Sequence, residues 1–319
     1  MSKPPTEPQP ARSVFSQIGT YSPIVDRPRI DWPDNARLAL WIVPNIEYYQ
    51  MQPPVGRFDA WPRCPHPDIM SYGVRDFGNR VGFWRLMDVL DRHKVRATLS
   101  LNIACYENFP DIMERCEKRG YDVMCHGLYN TDFMFDRSED AERSYISECV
   151  TTFRRLTGRD FTGWFSPVAS ATLATSDLVA EAGIRYTADF FHDDQPFPIQ
   201  VRSGRLLSLP YSMDVNEGWN LRLNIEAEEF VLSARDQFDR LYAESPAIPR
   251  VMSLALHPYV FGQPHRIAHL DALLGYMLSH SGVWQATGVE ITDWFNTNCL
   301  PALAARLASP GTLATVERK

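Results

Sequence analysis

The run Leu38-Ala39-Leu40-Trp41-Ile42-Val43, continued by Pro44-Asn45-Ile46-Glu47-Tyr48-Tyr49, decides the fold class. An unbroken apolar run without alternation marks a strand covered on both faces, as parallel sheets of α/β proteins are. Asn45 and Glu47 flank Ile46 and so share one side of the strand end. A carboxylate at the C-terminal end of such a strand stands where α/β enzymes display reactive groups.

The same pattern recurs outward from this stretch. Phe83, Leu86, Met87 and Leu90 keep helical spacing, and residues 96–103 alternate as a strand. A helix over residues 111–119 stops at Gly120, and Val123-Met124-Cys125 then reads as a strand that delivers His126 to the loop Gly127-Leu128-Tyr129-Asn130. Ser138 caps a helix whose stripe is Tyr145, Cys149, Phe153 and Leu156 and whose end is Gly158. Residues 161–167, with Trp164 central, form a strand, and residues 176–182 a helix. Residues 184–190 form a strand that opens into His192-Asp193-Asp194, and residues 206–210 a shorter strand. A long helix carries Phe230, Ala234, Phe238 and Leu241, and the apolar run 251–256 ends in His257-Pro258. Helix 267–280, strand 283–286 and helix 289–295 follow. Roughly seven strand-then-helix units without a composition break point to one α/β barrel, with an open doubly wound sheet as the alternative.

Composition narrows the function. The 319 residues are 45% hydrophobic and 22% charged, ordinary for a soluble globular chain. A net charge of −7 disfavours nucleic acid or an anionic membrane as partner; the expected partner is a small-molecule substrate. No apolar run approaches a membrane span and the N-terminus lacks a basic-then-apolar signal pattern, so a cytoplasmic location is expected. Pro4, Pro5, Pro8 and Pro10 make residues 1–25 a Pro-rich arm, flexible or packed on a neighbouring subunit, ahead of a single catalytic domain over 26–319. Residues 50–78 show no periodicity, and a structureless stretch of that length reads as either a functional loop or a mis-assigned element. Six cysteines without C-x-x-C spacing read as reduced, buried thiols. The motifs for dinucleotides, for phosphate loops and for the serine nucleophile elbow are all missing.

What remains is a constellation. Glu47, His126, the His192-Asp193-Asp194 group and His257 each follow a strand directly, and in a parallel barrel those ends share one face. Carboxylates and imidazoles without a Ser or Cys nucleophile point to activated water.

The ordered set Asn45-Ile46-Glu47, Arg80-Val81-Gly82, Cys125-His126-Gly127 with Asn130, Trp164-Phe165 with Pro167, His192-Asp193-Asp194 with Pro196, and Leu256-His257-Pro258 resembles the NodB-type polysaccharide deacetylase superfamily. Within it the set is most similar to the intracellular branch of PuuE-type allantoinases and cyclic imide hydrolases. The resemblance implies a distorted (β/α)7 barrel, hydrolysis of non-peptide C–N bonds and a homo-oligomer, dimer or tetramer. It places Glu47, His126 and His257 as catalytic groups and Asn45, Arg80, Tyr129, Asn130, Trp164, Asp193 and Asp194 at the substrate. Metal-dependent members resemble Asp-x-Asp at the first strand end and His-x-x-x-His at the second. Here Asn45 and Asn130 stand at two of those positions, and neutral amides are poor zinc ligands. No cofactor is therefore expected, with a divalent metal such as zinc on Glu47 and His126 as the exception. The expected activity is opening of a small cyclic amide, imide or ureide. The alternatives are a metal-dependent N-deacetylase of an amino-sugar derivative and a degenerate member that binds without turnover.

Overall fold

The computed structural model describes residues 18–19, 21–53, 67–220 and 225–308, so most of the Pro-rich arm and Cys64 lie outside the described residues. The strands are β1 (Leu38–Ile46), β2 (Thr98–Leu101), β3 (Asp122–Cys125), β4 (Gly163–Trp164), β5 (Tyr186–Thr187), β6 (Phe197–Ile199), β7 (Leu206–Ser208), β8 (Arg250–Leu256) and β9 (Val283–Gln285). They form one curled sheet in the order β6-β7-β5-β4-β3-β2-β1-β8, with β9 on the first residues of β1. Every pairing is parallel except β6 with β7. All residues of β1 are buried, as an unalternating apolar run requires of a strand with cover on both faces. This is the expected barrel in curled, incompletely laddered form. The gap beside β8 is closed by loops: Ala255 N–H donates to Val215 O (3.2 Å), Ser212 N–H to Ser253 Oγ (2.8 Å), and Val251 N–H to Asp194 O (2.9 Å).

The helices are α1 (Ile69–Phe77), α2 (Phe83–Arg92), α3 (Cys105–Asn108), α4 (Pro110–Glu117), α5 (Glu139–Thr157), α6 (Thr175–Glu181), α7 (Glu217–Asn220), α8 (Ala227–Glu244), α9 (Pro258–Phe261), α10 (Ile267–Leu278), α11 (Gly288–Asn298) and α12 (Leu300–Ala308). Local chemistry explains their ends. The Ser138 side chain accepts from Ala141 N–H at the start of α5, and Gly158 closes it in the left-handed conformation (φ 69°). Thr287 and Glu290 cap α11 reciprocally. None of the helices is long and apolar enough to cross a membrane, among the described residues. Cys105, Cys116, Cys125, Cys149 and Cys299 are free and buried, as their spacing predicts.

Three elements depart from the sequence reading. Residues 50–78 include α1, started by Asp68, whose carboxylate accepts from Ser71 N–H (3.0 Å). The helix escapes a periodicity search because none of its residues is buried, and Ile69, Met70 and Val74 face solvent. Strand β6 contains Pro198, which its edge position tolerates. Helix α12 continues the chain after α11 and buries only Leu303.

One packing contact fixes the geometry that follows. Between α1 and α2 the chain makes a π turn, Gly78–Gly82, and α9 lies directly against it. A Cβ on Gly82 would stand 2.0 Å from Pro258 O, one on Gly262 2.2 Å from Gly82 Cα, and one on Gly78 2.9 Å from Tyr259 N. Backbone meets backbone here, and α9 starts at the residue after His257.

Candidate active site

At the C-terminal ends of β1, β3 and β8 a small cavity of about 60 Å³ opens. Glu47, His126 and His257 all line it, with Asn45 and Asn130 beside them and Phe165, Met213, Trp219 and Tyr259 among its walls. The parallel sheet does what the sequence reading expects of it, since three strand ends deliver three ionisable groups to one place.

The core of the site is a row of three groups. His257 Nδ1 donates to Glu217 Oε2 (2.7 Å), and its Nε2 lies 3.3 Å from Glu47 Oε1. The His257 backbone N–H donates to the other Glu217 oxygen. All three side chains are buried, Glu217 at 2% exposure and Glu47 and His257 at 6%. Burial disfavours a charged ring, but the charges and hydrogen bonds of Glu217 and Glu47 outweigh it and lift His257 to about 10. Burial also opposes ionisation of Glu47; the hydrogen bond and charge of His257, helped by Arg75 and His126, overcome it and lower Glu47 to about 2. At neutral pH the row is therefore carboxylate, imidazolium, carboxylate.

Across from it His126 is 2% exposed, stacks on the Phe165 ring (centroids 4.6 Å apart) and places Nδ1 2.8 Å from Phe165 O. A carbonyl only accepts, so Nδ1 carries the hydrogen and Nε2 keeps a lone pair. Burial lowers the His126 pKa from its ordinary value despite the opposing charge of Glu47, which keeps the ring neutral.

Glu217 and Arg75 are the groups that the sequence reading missed. Glu217 lies on the short helix α7, and its only sequence signal is a place in the loop that follows β7. Arg75 lies on α1, inside the stretch read as loop; its guanidinium packs over Tyr49 (4.1 Å) and Tyr259 (4.8 Å) and donates to Tyr49 OH (3.3 Å).

The other expected substrate residues are engaged with partners of their own. Asn45 lines the cavity, but its amide hydrogens go to Val43 O (3.2 Å) and Tyr211 OH (3.1 Å), so it braces the wall. Trp164 is fully buried in the core, where its Nε1–H donates to Ser166 Oγ (3.0 Å). Arg80 leaves its side chain 71% exposed and pairs with Asp76 (2.5 Å), because its position on the π turn faces outward. Tyr129 packs on Tyr48 with centroids 5.5 Å apart and does not line the cavity. Asp193 pairs with Arg27 (2.6 Å) and Asp194 with Arg250 (2.5 Å) around a separate hollow, so charge pairing holds both away from Glu47.

Among the described residues no three His, Cys, Asp or Glu side chains stand together as a ligand set. Two cavity positions are neutral amides, and the carboxylate that would bind a cation already faces an imidazolium.

Comparison with known proteins agrees with this architecture. Residues 71–187 match the polysaccharide deacetylase family model. A curated Schizosaccharomyces pombe protein named for polysaccharide deacetylation is 25% identical over 297 residues, 82% of this chain and 91% of its own. A Pseudomonas aeruginosa structure named for the same activity superposes with a TM-score of 0.74 at 26% identity, covering 85% of this chain and 95% of that one. The PuuE allantoinase structure superposes with a TM-score of 0.75 at 23% identity, covering 91% and 98%, and at that identity the likeness concerns the fold. Over residues 71–187 the chain is thus similar to the polysaccharide deacetylase domain, it shares its curled parallel sheet with these structures, and the likeness supports a hydrolase acting on non-peptide carbon–nitrogen bonds.

Proposed function

We propose that this protein hydrolyses a small cyclic amide, imide or ureide by general acid–base catalysis, without a metal ion. The observation that carries the reading is the buried row Glu47–His257–Glu217 facing a neutral His126 across a cavity that Asn45 and Asn130 also line.

The chemistry follows from the protonation states. Glu47, held near 2, is a reluctant proton acceptor, whereas His126 Nε2 offers a lone pair fixed in direction by Phe165 O. Water attacks the ring carbonyl carbon as His126 takes one of its protons, and the negative charge of Glu47 stabilises the imidazolium that forms. The tetrahedral oxyanion collapses as the C–N bond breaks, and the electron pair leaves on nitrogen. His257 gives that nitrogen its Nε2 proton, trading a long 3.3 Å contact with Glu47 for the reacting atom. Proton return from His126 to His257 through solvent resets the site. The products are a carboxylic acid, which gives up its proton to solvent to become a carboxylate, and a freed N–H end, an amine, amide or ureide according to the ring.

The family match favours a second reading, N-deacetylation of an amino-sugar derivative, which uses the same acid and base on an acyclic acetamide. A panel of hydantoin, succinimide, dihydropyrimidine, allantoin and an N-acetylated amino sugar, assayed with and without chelator, separates the two. The expected result is ring opening that survives chelation; acetate release abolished by chelator overturns the proposal.

A further inference from the structure

The hydrogen-bond ledger of the cavity is unbalanced. Asn130 is 2% exposed and Glu47 6%, both line the cavity, and Asn130 Oδ1 and Glu47 Oε2 are buried without a hydrogen-bond partner. His126 Nε2 is a third acceptor on the same surface, because its other nitrogen holds the hydrogen. Asn45, which could have supplied donors, has its amide hydrogens engaged elsewhere. The His257 imidazolium is a strong donor on this surface, held 3.3 Å from Glu47 Oε1.

Buried acceptors left unpaired are costly, and a ligand recovers that cost only by bringing donors. The attacking water supplies hydrogens for His126 and Glu47. Asn130 Oδ1 can accept from the His126 ring once that ring is protonated; in the resting site, where Nε2 holds a lone pair, Oδ1 has no partner and is satisfied only by an N–H that the substrate brings.

We infer that Asn130 is a specificity-determining residue: its Oδ1 accepts a hydrogen bond from a ring N–H adjacent to the scissile carbonyl, restricting the substrate to unsubstituted imides and ureides. This rests on the ring-opening reading above and narrows it. A site built to bond an N–H rejects the analogue lacking it far more strongly than an apolar pocket rejects an extra methyl.

The test compares succinimide with N-methylsuccinimide, each by kcat/KM and by calorimetric binding, in wild type and Asn130→Ala. Wild type should favour the N–H ring by roughly a hundred-fold or more. Asn130→Ala removes the acceptor and opens space, so the N–H ring should lose ten-fold or more while the N-methyl ring holds or gains. A role confined to packing lowers both rings alike and leaves their ratio unchanged, which overturns the inference. Asn130→Ser keeps a short polar side chain and replaces the alanine variant if that one fails to fold; it should show a reduced preference for the N–H ring. Turnover without N–H preference sinks this inference alone. N–H-selective binding without turnover sinks the hydrolytic reading alone, and neither binding nor turnover of either ring sinks both.

Discussion

His257 shows how far a buried side chain can be moved by its neighbours. An imidazole removed from water loses its proton readily, yet two carboxylates on opposite edges reverse that preference and lift it to about 10. In the proposed reaction it is the only strong acid in the cavity. His257→Gln should lower kcat by roughly 10²–10⁴-fold with little change in KM, read from steady-state kinetics. Glu217 does not touch the reacting atoms and acts through His257. Glu217→Gln should keep substrate binding but move the alkaline limb of the kcat profile down from about 10, because the ring then has one carboxylate to hold its proton. An alkaline limb that stays in place would show that Glu217 only packs.

At the scale of elements, strand ends were legible and the segments between them were not. Glu47, His126 and His257 could be found because a parallel sheet carries the C-terminal end of each strand to one rim, whatever lies between. Glu217 sits on a four-residue helix with no periodicity to mark it, and Arg75 on a helix that buries nothing, so neither left a pattern in sequence. Trp164 and Arg80 misled for the opposite reason: they lie beside recognisable motifs, but alternation turns one into the core and the π turn turns the other outward. The short helices act on the site through contact. A Cβ on Gly218 would stand 2.6 Å from His257 Cε1, against the face of the ring. Gly218→Ala should cut kcat by roughly ten-fold or more while thermal unfolding shifts little, since it moves a proton donor at the rim rather than core packing. A variant with normal kcat would show that the ring can tilt without cost.

For the whole molecule, the carboxylate–imidazolium–carboxylate row ties stability to pH. Glu47 is depressed below its ordinary value, so its contribution is present above about 4.5 and is lost as pH falls towards 2. His257 is raised, so its contribution is complete below about 6.5 and is lost as pH rises through 10. His126 is lowered, so the folded state binds protons less readily than the unfolded chain and loses stability as pH falls below 6.5. Together these place maximal stability near neutrality, with an alkaline decline on the order of a few kcal/mol. Melting temperature followed from pH 4 to 10 checks this: His257→Gln should flatten the alkaline limb, and an unchanged limb would refute its origin in His257.

The contact between the π turn and α9 sets a limit on how this domain can vary. The atom that a side chain at Gly82 would strike is the Pro258 carbonyl oxygen, which every amino acid at position 258 carries equally. No second substitution at the point of collision can therefore make room, and only a displacement of the whole α9 segment, His257 included, would relieve it. Drift at this glycine is thus coupled to the placement of the proton donor, and a relative with a larger residue there would have to hold its acid from a different backbone path.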